Sequence, residues 1–460
     1  MSQQPKKLTP QEFYRATTPN KTLDMAKLPD KHYHIDFSSV RGEEIIENLK
    51  TEITWSEDKQ FTCNLFTGHV GCGKSTELLR LKSELEEEGY HAIYFEATDD
   101  LDIGNVEVSD ILLAIARRTA QEFEKLIQKQ ENSWQGVMDN AKKLLFTEIK
   151  LDVKSGEIPG VGKFEFGVDF DNNVTVGLSS ILGSLKTQTR KNTDLKYRLK
   201  QYLEPKTAGL IDVLNKGLFK PIHATLQEEG KVGLVVLMDN LDKLMNVEKS
   251  PGKNQSAYLF ADRGDDLSRL ACHLIYTMPL GLRYSDDYPL IAERFKTIPV
   301  VLPMIPVQNR QGEANEAGIQ QLYQMVLARA FPTLSESERL DKLSEIFDKE
   351  ETLREVCTMS GGHVRNLLIM LNKWIIKQKK FPLSIEKLKE VVVNQVTERT
   401  AQITPDEWDL LNRVHKTKEL AGDEDFSKLI RTLCVYEYRD EQGAWYEVNP
   451  ILLRTGKIKR

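Results

Sequence analysis

A glycine-rich segment that begins at Gly68 carries the residues of this chain best suited to chemistry. It reads Gly68-His69-Val70-Gly71-Cys72-Gly73-Lys74-Ser75-Thr76, a full G-x-x-x-x-G-K-S/T phosphate-binding pattern. Such a loop turns its backbone N–H groups toward phosphate, its lysine reaches the β and γ oxygens, and its serine holds Mg²⁺. The pattern predicts a site for ATP with Mg²⁺, lined by Gly68, Val70, Gly71, Cys72, Gly73, Lys74, Ser75 and Thr76.

A buried strand that ends in a carboxylate supplies the second element that phosphate chemistry needs. Residues 231–239 form an apolar run ending in Asp239, and such a run suits the centre of a parallel sheet. There Asp239 lies beside the phosphate loop and can hold the metal ion. The plainer alternative is an ordinary buried strand whose last residue caps a turn, and the phosphate loop makes this alternative less favoured.

The residue after Asp239 is Asn240, which cannot take a proton from water. Asp242 is the nearest substitute general base, and its reach depends on the turn that follows the strand. The sequence therefore predicts slow hydrolysis.

Two later segments place polar groups where a nucleotide site uses them. Residues 274–279 read as a strand that carries a hydroxyl, Thr277, able to touch the γ-phosphate. Residues 359–368 hold a glycine pair that opens an amphipathic helix, with Arg365 on its first turn. Taken alone, such an arginine is more often a solvated helix residue.

The phosphate loop, the strand ending in Asp239, the strand with Thr277 and the helix with Arg365 follow one another along the chain. In this order they resemble the AAA+ ATPases of the origin-recognition and STAND (signal-transduction ATPase) clade over about residues 35–395. The resemblance implies an αβα nucleotide domain, a helical lid and ATP-driven change of assembly. It also implies that Thr277 and Arg365 sense the nucleotide and that Val40 and Arg41 lie on its adenine side. Besides the phosphate loop, the residues that carry it are Val40-Arg41-Gly42-Glu43-Glu44, Asp239-Asn240-Leu241-Asp242, Thr277, Arg294 and Gly361-Gly362-His363-Val364-Arg365.

The resemblance has further implications for turnover and partners. Members of the clade commonly place a glutamate where this chain has Asn240, so the departure again predicts slow turnover. Arg294 is the candidate for an arginine that reaches the ATP of a neighbouring subunit, and Arg283 is the second candidate. Surface arginine is the plain alternative for each. Bacterial defence signalling is common among STAND relatives, although the long repeat array of many STAND proteins does not follow here.

The elements that must hold these residues follow in the order of a doubly wound sheet. Residues 63–67 read as a strand that leads into the phosphate loop, and helical spacing follows from Glu77. Residues 89–97 read as the second strand and residues 108–129 as a helix. The predicted fold class is α/β, a P-loop αβα nucleotide-binding domain with an inserted β-hairpin region, a helical lid and a C-terminal winged helix.

Composition predicts four parts of the chain. Residues 1–34 are polar and punctuated by proline, and they form an N-terminal arm that lies on a neighbour or is loosely ordered. The ATPase domain spans residues 35–307, the helical lid residues 308–398 and the winged helix residues 399–460.

An insertion at about residues 144–205 interrupts the predicted ATPase domain. Apolar residues alternate in 149–153 and 164–170, and Asn172-Asn173 form a turn before 174–176, which predicts a hairpin or small sheet. It is either a harmless insertion or a contact surface. A basic run follows that could meet nucleic-acid phosphates, although a solvated helix face is the usual interpretation. Its members are Lys186, Arg190, Lys191, Lys196, Arg198 and Lys200.

The composition of the 460 residues predicts a soluble, cytoplasmic protein. The net charge is −6, and no apolar run is long enough to cross a bilayer. An apolar N-terminal signal segment is also missing, so no membrane partner is expected. The five cysteines lack C-x-x-C spacing, which fits reduced core thiols. Cys72 is either inert or a thiol whose alkylation blocks ATP.

Residues 401–460 read as helices followed by a two-stranded wing. In the origin-recognition clade such a winged helix often meets DNA, yet this one has ten Lys and Arg residues against eleven Asp and Glu residues. Asp423-Glu424-Asp425, just before the expected recognition helix, would repel phosphates. The sequence therefore favours a winged helix that contacts protein or inhibits its own chain.

Two classes of function remain open from the sequence. The first is a regulatory ATPase switch that self-associates with ATP and activates or releases an unknown effector protein. The second is a DNA-binding AAA+ ATPase that loads on or remodels nucleic acid through residues 186–200 or the winged helix. A small-molecule kinase is a weaker third class, since it leaves the lid and the winged helix unexplained.

Overall fold

The computed structural model describes residues 8–57, 60–128, 133–152, 155–165, 177–420 and 426–459. Contacts along the chain divide it into two compact units. The sheet unit comprises Glu47–Thr67 and Leu81–Val300, and the loop unit comprises Met1–Ile46, Gly68–Arg80 and Val301–Arg460.

The strands alternate with helices through most of the chain. In chain order the strands are β1 (Cys63–Gly68), β2 (His91–Glu96), β3 (Glu157–Ile158), β4 (Gly162–Lys163), β5 (Leu234–Asp239), β6 (Glu248–Ser250), β7 (Lys253–Asn254), β8 (His273–Thr277), β9 (Val300–Leu302), β10 (Val435–Asp440) and β11 (Gly443–Val448).

Helices precede, separate and follow these strands. Those up to Phe295 are α1 (Pro10–Ala16), α2 (Leu28–Lys31), α3 (Ile45–Thr54), α4 (Lys74–Glu87), α5 (Ala97–Asp100), α6 (Val108–Gln128), α7 (Ser133–Glu148), α8 (Leu178–Lys191), α9 (Thr193–Leu203), α10 (Thr207–Leu214), α11 (Lys220–Glu228), α12 (Gln255–Ala257), α13 (Gly264–Leu267) and α14 (Tyr288–Phe295). The later ones are α15 (Glu316–Ala330), α16 (Glu336–Asp341), α17 (Leu343–Ile346), α18 (Glu350–Ser360), α19 (Val364–Gln378), α20 (Ile385–Thr400), α21 (Pro405–Thr417), α22 (Ser427–Arg431) and α23 (Pro450–Leu453).

A parallel sheet forms the centre of the sheet unit, which confirms the predicted α/β class. Its strand order is β2-β5-β8-β1-β9, and β2 with β5, β5 with β8, and β8 with β1 pair in parallel. Every residue of β1, β5 and β8 is buried, as expected for strands covered on both faces. The register pairs Glu96 with Asp239 and Phe66 with Thr277, so these strands end at one edge of the sheet.

The insertion contains a hairpin, as the alternating pattern predicts, but the described part of the expected strand over 149–153 differs. Residues 149–151 are not a strand, because α7 runs to Glu148 and its end is closed by a left-handed Lys150 with φ 50°. The N–H of Leu151 then donates to the carbonyl of Phe146, which is a helix-ending bond. Strands β3 and β4 form a small antiparallel hairpin. Predicted strand residues 166–170 and 174–176, with the turn at 172–173, lie outside the described residues.

The N-terminal segment, described from residue 8, packs into the core of the loop unit instead of lying on a neighbour or being loosely ordered. Helix α1 begins with a capping box formed by Thr9 and Glu12. Its Phe13 is fully buried among lid-region side chains. The side-chain amide of Asn372 donates to the hydroxyl of Thr17 at 2.6 Å. The polar composition of residues 1–34 does not predict this packing, because the burial of one aromatic side chain can outweigh the polar residues around it in the sequence.

The end of the loop unit holds helices followed by an antiparallel hairpin. Helices α21 and α22 precede the antiparallel pair β10 and β11, whose register runs from Val435 opposite Val448 to Asp440 opposite Gly443. The acidic residues 423–425 lie outside the described residues. Within the described part of the chain, no helix combines the length and apolarity needed to span a membrane.

Candidate nucleotide-binding site

The phosphate loop joins β1 to α4 through glycines in conformations that other residues rarely adopt. Gly71 has φ 91° and Gly73 has φ 113°. Helix α4 begins at Lys74, so Lys74, Ser75 and Thr76 form its first turn. The N–H groups of that turn have no partner within their own helix and point along its axis at the N-terminus.

Six consecutive carbonyl groups of the loop, from Gly68 to Gly73, accept hydrogen bonds from the protein. Lys74 Nζ donates to Gly68 O at 2.8 Å and to His69 O at 3.0 Å. The other four acceptors are Val70 O from His363 Nε2 at 2.9 Å, Gly71 O from Arg365 N at 3.2 Å, Cys72 O from Arg41 Nη2 at 2.8 Å and Gly73 O from Glu77 N at 3.1 Å.

This arrangement fits the triphosphate that the motif implies. In a planar trans peptide the N–H of one residue points opposite to the carbonyl of the residue before it. Carbonyls held by protein donors therefore leave most loop amides facing the other way, and Cys72 is the exception because its N–H closes a turn on His69 O. The sulfur of Cys72 is buried against Leu302 O at 3.7 Å, which favours the inert alternative for this thiol.

The segment predicted to open the lid helix lies directly on the phosphate loop within the loop unit. A Cβ added to Gly71 would lie 2.8 Å from His363 Cε1 and 2.9 Å from Arg365 Cβ. The Nε of Arg365 is buried and has no hydrogen-bond partner among the described residues. The structure thus brings Arg365 to the loop, and it adds His363, a residue of the same segment that the sequence did not single out.

Two neutral imidazoles hold the outer side of the loop. His363 caps α19 by accepting from Asn366 N at its Nδ1, so its Nε2 carries the proton that it donates to Val70 O. Burial lowers the pKa of His363 to about 3. Burial, together with the neighbouring His363 and Lys74, holds the pKa of His69 well below its ordinary value. Both rings therefore act as uncharged hydrogen-bonding groups.

Strand β10 packs against this loop through His69. The backbone N–H of Glu437 donates to His69 Nε2 at 2.9 Å, and Met304 N donates to Glu437 O at 2.9 Å. The Tyr438 hydroxyl donates to Gly361 O at 2.8 Å, next to the start of α19. Asn366 donates its side-chain amide to the Tyr436 hydroxyl at 2.7 Å. The C-terminal hairpin is therefore bonded both to the phosphate loop and to the lid region.

The predicted adenine-side residues lie on the outer side of the loop. Arg41 is 4% exposed, and besides Cys72 O its guanidinium faces Glu77 at 3.9 Å. Burial alone would raise the pKa of Glu77, but the neighbouring His34 imidazole at 3.9 Å and the charge of Arg41 hold it below its ordinary value. Val40 packs against the core of the loop unit. Arg41 thus supports the loop backbone through Cys72 O and Glu77.

Within the sheet unit, polar side chains collect where β2, β5 and β8 end. We call Glu96, Asp239, Asn240 and Thr277 the acidic edge. Asp239 is 1% exposed, its Oδ1 accepts from Asn240 N at 2.6 Å, and its Oδ2 accepts from the Tyr94 hydroxyl at 2.8 Å. The Thr277 hydroxyl oxygen accepts from Leu241 N at 3.0 Å, which anchors the turn after β5.

Glu96 is the residue of the acidic edge that sequence reasoning missed. The side-chain amide of Asn240 donates to Glu96 Oε2, and Asn240 adopts a left-handed backbone with φ 64°. Asp242, the predicted substitute base, lies in the 3₁₀ turn Leu241–Lys243. A strand-ending glutamate at 96 was visible in the sequence, but only the register of β2 against β5 brings it beside Asp239.

The remaining predicted residues are held within the sheet unit. Arg294 forms an ion pair with Asp265 and stays 40% exposed. Arg283 lies in the 3₁₀ segment Leu280–Tyr284. In the basic run, four cationic side chains bond to acidic side chains or backbone carbonyls of residues 98–107. They are Lys186, Arg190, Lys196 and Lys200.

Comparison with known proteins finds distant matches among solved structures and none by sequence. No protein-family model matches the sequence, and no curated protein gives a match. The solved structure of the ORC2 protein of Aeropyrum pernix aligns at 11% identity over 96% of this chain and 95% of its own, with a TM-score of 0.42. A Walker-type ATPase of Pyrococcus abyssi aligns at 11% identity over 91% and 98%, with a TM-score of 0.39. Cdc6p of Pyrobaculum aerophilum aligns at 10% identity over 96% of both chains, with a TM-score of 0.38.

Proposed function

We propose that this chain binds ATP with Mg²⁺, hydrolyses it slowly, and works as an AAA+/STAND-type regulatory switch whose assembly or partner binding follows the nucleotide state. The observation that carries the proposal is the set of six bonded carbonyls from Gly68 to Gly73. A loop bonded in this way presents its amides to an anion and holds Lys74 beside them, which is what a triphosphate requires.

Each residue of the site takes a defined part in this proposal. Lys74 leaves the loop carbonyls to contact the β- and γ-phosphates, and Arg365 adds positive charge from the lid region. Ser75 and Asp239 hold Mg²⁺, which neutralises charge on the phosphates. Thr277 keeps the turn after Asp239 in place through Leu241 N. Asp242 is the general base suggested by the sequence.

The switch is supported by the bonds that tie the loop to distant segments of the chain. His363 and Arg365 bond to loop carbonyls, and Glu437 bonds to His69. A ligand that draws Lys74 away from the carbonyls of residues 68 and 69 changes the loop on which β10 rests. Release of the hairpin would expose its buried tyrosines to an effector protein.

The alternative, a DNA-binding AAA+ ATPase, receives less support from the described residues. The inner face of the C-terminal hairpin is buried, with Tyr436, Tyr438 and Trp445 each at most 1% exposed. Four basic side chains of the run 186–200 are committed to residues 98–107. A gel shift at increasing salt tests the alternative, since binding through phosphates weakens steeply with salt. A salt-sensitive shift with DNA would favour the second function.

Mixing two variants tests the association that the switch requires. Arg294→Ala should leave ATP binding nearly normal but lower ATP-dependent association or hydrolysis by up to ~10³-fold, because an arginine supplied in trans stabilises the transition state. When Arg294→Ala chains are mixed with Lys74→Ala chains, some activity should return. It should come from sites between two chains at which one chain supplies an intact Lys74 and the other an intact Arg294. Measurements are particle size with and without ATP, and phosphate release. Arg269→Ala, an exposed arginine 47% accessible at its side chain, is the control.

The mixing experiment can also contradict the role proposed for Arg294. If the mixture stays inactive while the wild-type chain is active and oligomeric, Arg294 is not the trans-acting arginine. Arg283 then takes its place, or the switch works within a single chain.

A further inference from the structure

The acidic edge of the sheet unit lacks a base in the position where the resemblance expects one. Asn240 follows Asp239 and cannot accept a proton. Asp239 itself is buried, with both carboxylate oxygens occupied by Asn240 N and the Tyr94 hydroxyl. A water molecule that attacks a phosphate needs another carboxylate to take its proton.

Glu96 supplies a carboxylate beside this position. It ends β2 directly opposite Asp239 in the parallel register of β2 and β5. Its Oε2 accepts from the side-chain amide of Asn240, which fixes the orientation of the carboxylate. Unlike Asp239, Glu96 is only half-buried, so water can reach it.

We propose that Glu96 is the general base for ATP hydrolysis and that Asn240 is its positioning residue, an assignment that rests on the proposed ATPase function. In the step, the water oxygen forms a bond to the γ-phosphorus while the bond from that phosphorus to the bridging oxygen of ADP breaks. The proton of the water passes to the Glu96 carboxylate, and the products are ADP and inorganic phosphate. The base Glu96 thus ends β2, and Asn240 directly follows the last residue of the neighbouring strand β5.

Asp242 is the competing carboxylate, and the structure favours Glu96 over it. The turn Leu241–Lys243 carries Asp242 beyond the end of β5, and Leu241 N of that turn is bonded to Thr277. Glu96, by contrast, lies in register with the metal-side carboxylate and is held by the residue that replaces the expected base.

The test compares Glu96→Gln with Asp242→Asn, and Asp99→Asn serves as the control because that carboxylate is exposed. Glu96→Gln keeps an oxygen for the Asn240 bond, so the fold and ATP affinity should remain. Phosphate release should fall by ~10²–10⁴-fold in Glu96→Gln, fall at least tenfold less in Asp242→Asn, and stay within threefold of wild type in Asp99→Asn. As a readout besides activity, Glu96→Gln isolated after incubation with ATP should retain ATP, whereas the wild-type chain should hold ADP.

An exchange of the two side chains separates catalysis from support of the fold. Glu96→Asn should be inactive, and the double variant Glu96→Asn/Asn240→Glu should recover at least tenfold, because the pair is restored with its members exchanged. An exchange variant as slow as Glu96→Asn alone counts against the assignment.

Four further results would overturn the assignment of Glu96 as the general base. Hydrolysis by Glu96→Gln within threefold of wild type removes Glu96 as the base, and a loss confined to Asp242→Asn transfers the role to Asp242. A wild-type chain that binds ATP but releases no phosphate contradicts hydrolysis and this assignment while leaving nucleotide binding intact. Absence of ATP binding itself instead points to the phosphate loop and removes the whole proposed function.

Discussion

The phosphate loop takes its binding groups from residues 68–76, whereas the acidic edge collects its groups from three strands. In the loop, backbone carbonyls are held by protein donors, and the side chains of most loop residues matter little. At the acidic edge, side-chain groups make the bonds. Asp239 accepts from the neighbouring Tyr94 hydroxyl and from the backbone N–H of Asn240, and Glu96 accepts from the side-chain amide of Asn240. The difference predicts that the loop is sensitive to backbone changes and the edge to single functional groups.

The largest effect should come from the one loop side chain that contacts phosphate. Lys74→Ala removes charge-assisted hydrogen bonds worth ~1.5–3 kcal/mol each, so ATP affinity should fall by at least ~100-fold while the fold remains. Titration with ATP and thermal unfolding measure the two quantities. Lys82→Ala, a change at a partly buried lysine farther along α4, is the control. Unchanged ATP affinity in Lys74→Ala would remove the loop from the nucleotide site.

A pair of glycine variants sharpens the claim that the loop depends on its backbone. Both Gly71→Ala and Gly73→Ala impose an unfavourable positive φ, at ~1–3 kcal/mol each. Only Gly71→Ala also drives a Cβ into His363 and Arg365, since the nearest atom to the new Cβ at Gly73 is 3.9 Å away. Gly71→Ala should therefore lose more thermal stability than Gly73→Ala, and its ATP affinity should fall ~10-fold further. Equal losses would show that the lid contact adds nothing to the loop.

The smallest effect should come from a hydroxyl at the acidic edge. Tyr94→Phe removes the hydrogen bond to Asp239 Oδ2, worth ~1 kcal/mol, so hydrolysis at limiting Mg²⁺ should slow by about fivefold. Phosphate release across a Mg²⁺ series measures this, and Tyr197→Phe, an exposed tyrosine, is the control. ATP affinity without metal should not change. A loss of metal-free affinity would instead assign Tyr94 to nucleotide binding.

What could be predicted from the sequence follows the same division. The phosphate loop and the buried strand ending in Asp239 are contiguous, so their residues could be named without knowing any partner. Glu96 could not, because its role depends on the pairing of two strands separated by more than a hundred residues. His69 occupies a variable position of the motif, and its role depends on Glu437, 368 residues later.

Errors in the predicted elements have equally local causes. Alternating apolar residues at 149–153 predict a strand, but a left-handed Lys150 ends helix α7 there. Ile149 and Leu151, on either side of Lys150, are both buried. The polar composition of the N-terminal segment predicts an arm, but composition gives no weight to the few apolar residues that are buried there, Phe13, Leu23 and Met25. Periodicity and composition report averages, whereas these outcomes depend on individual residues.

The bond between His69 and the C-terminal hairpin also bears on how related chains can diverge. Its donor is the backbone N–H of residue 437, which every amino acid except proline provides. Its acceptor is a side chain, so substitution at position 69 can abolish the bond. Substitution at position 437 by any residue except proline therefore keeps the donor of this bond, whereas position 69 must carry an acceptor. Among homologous sequences, loss of the acceptor at 69 should accompany loss of the hairpin itself.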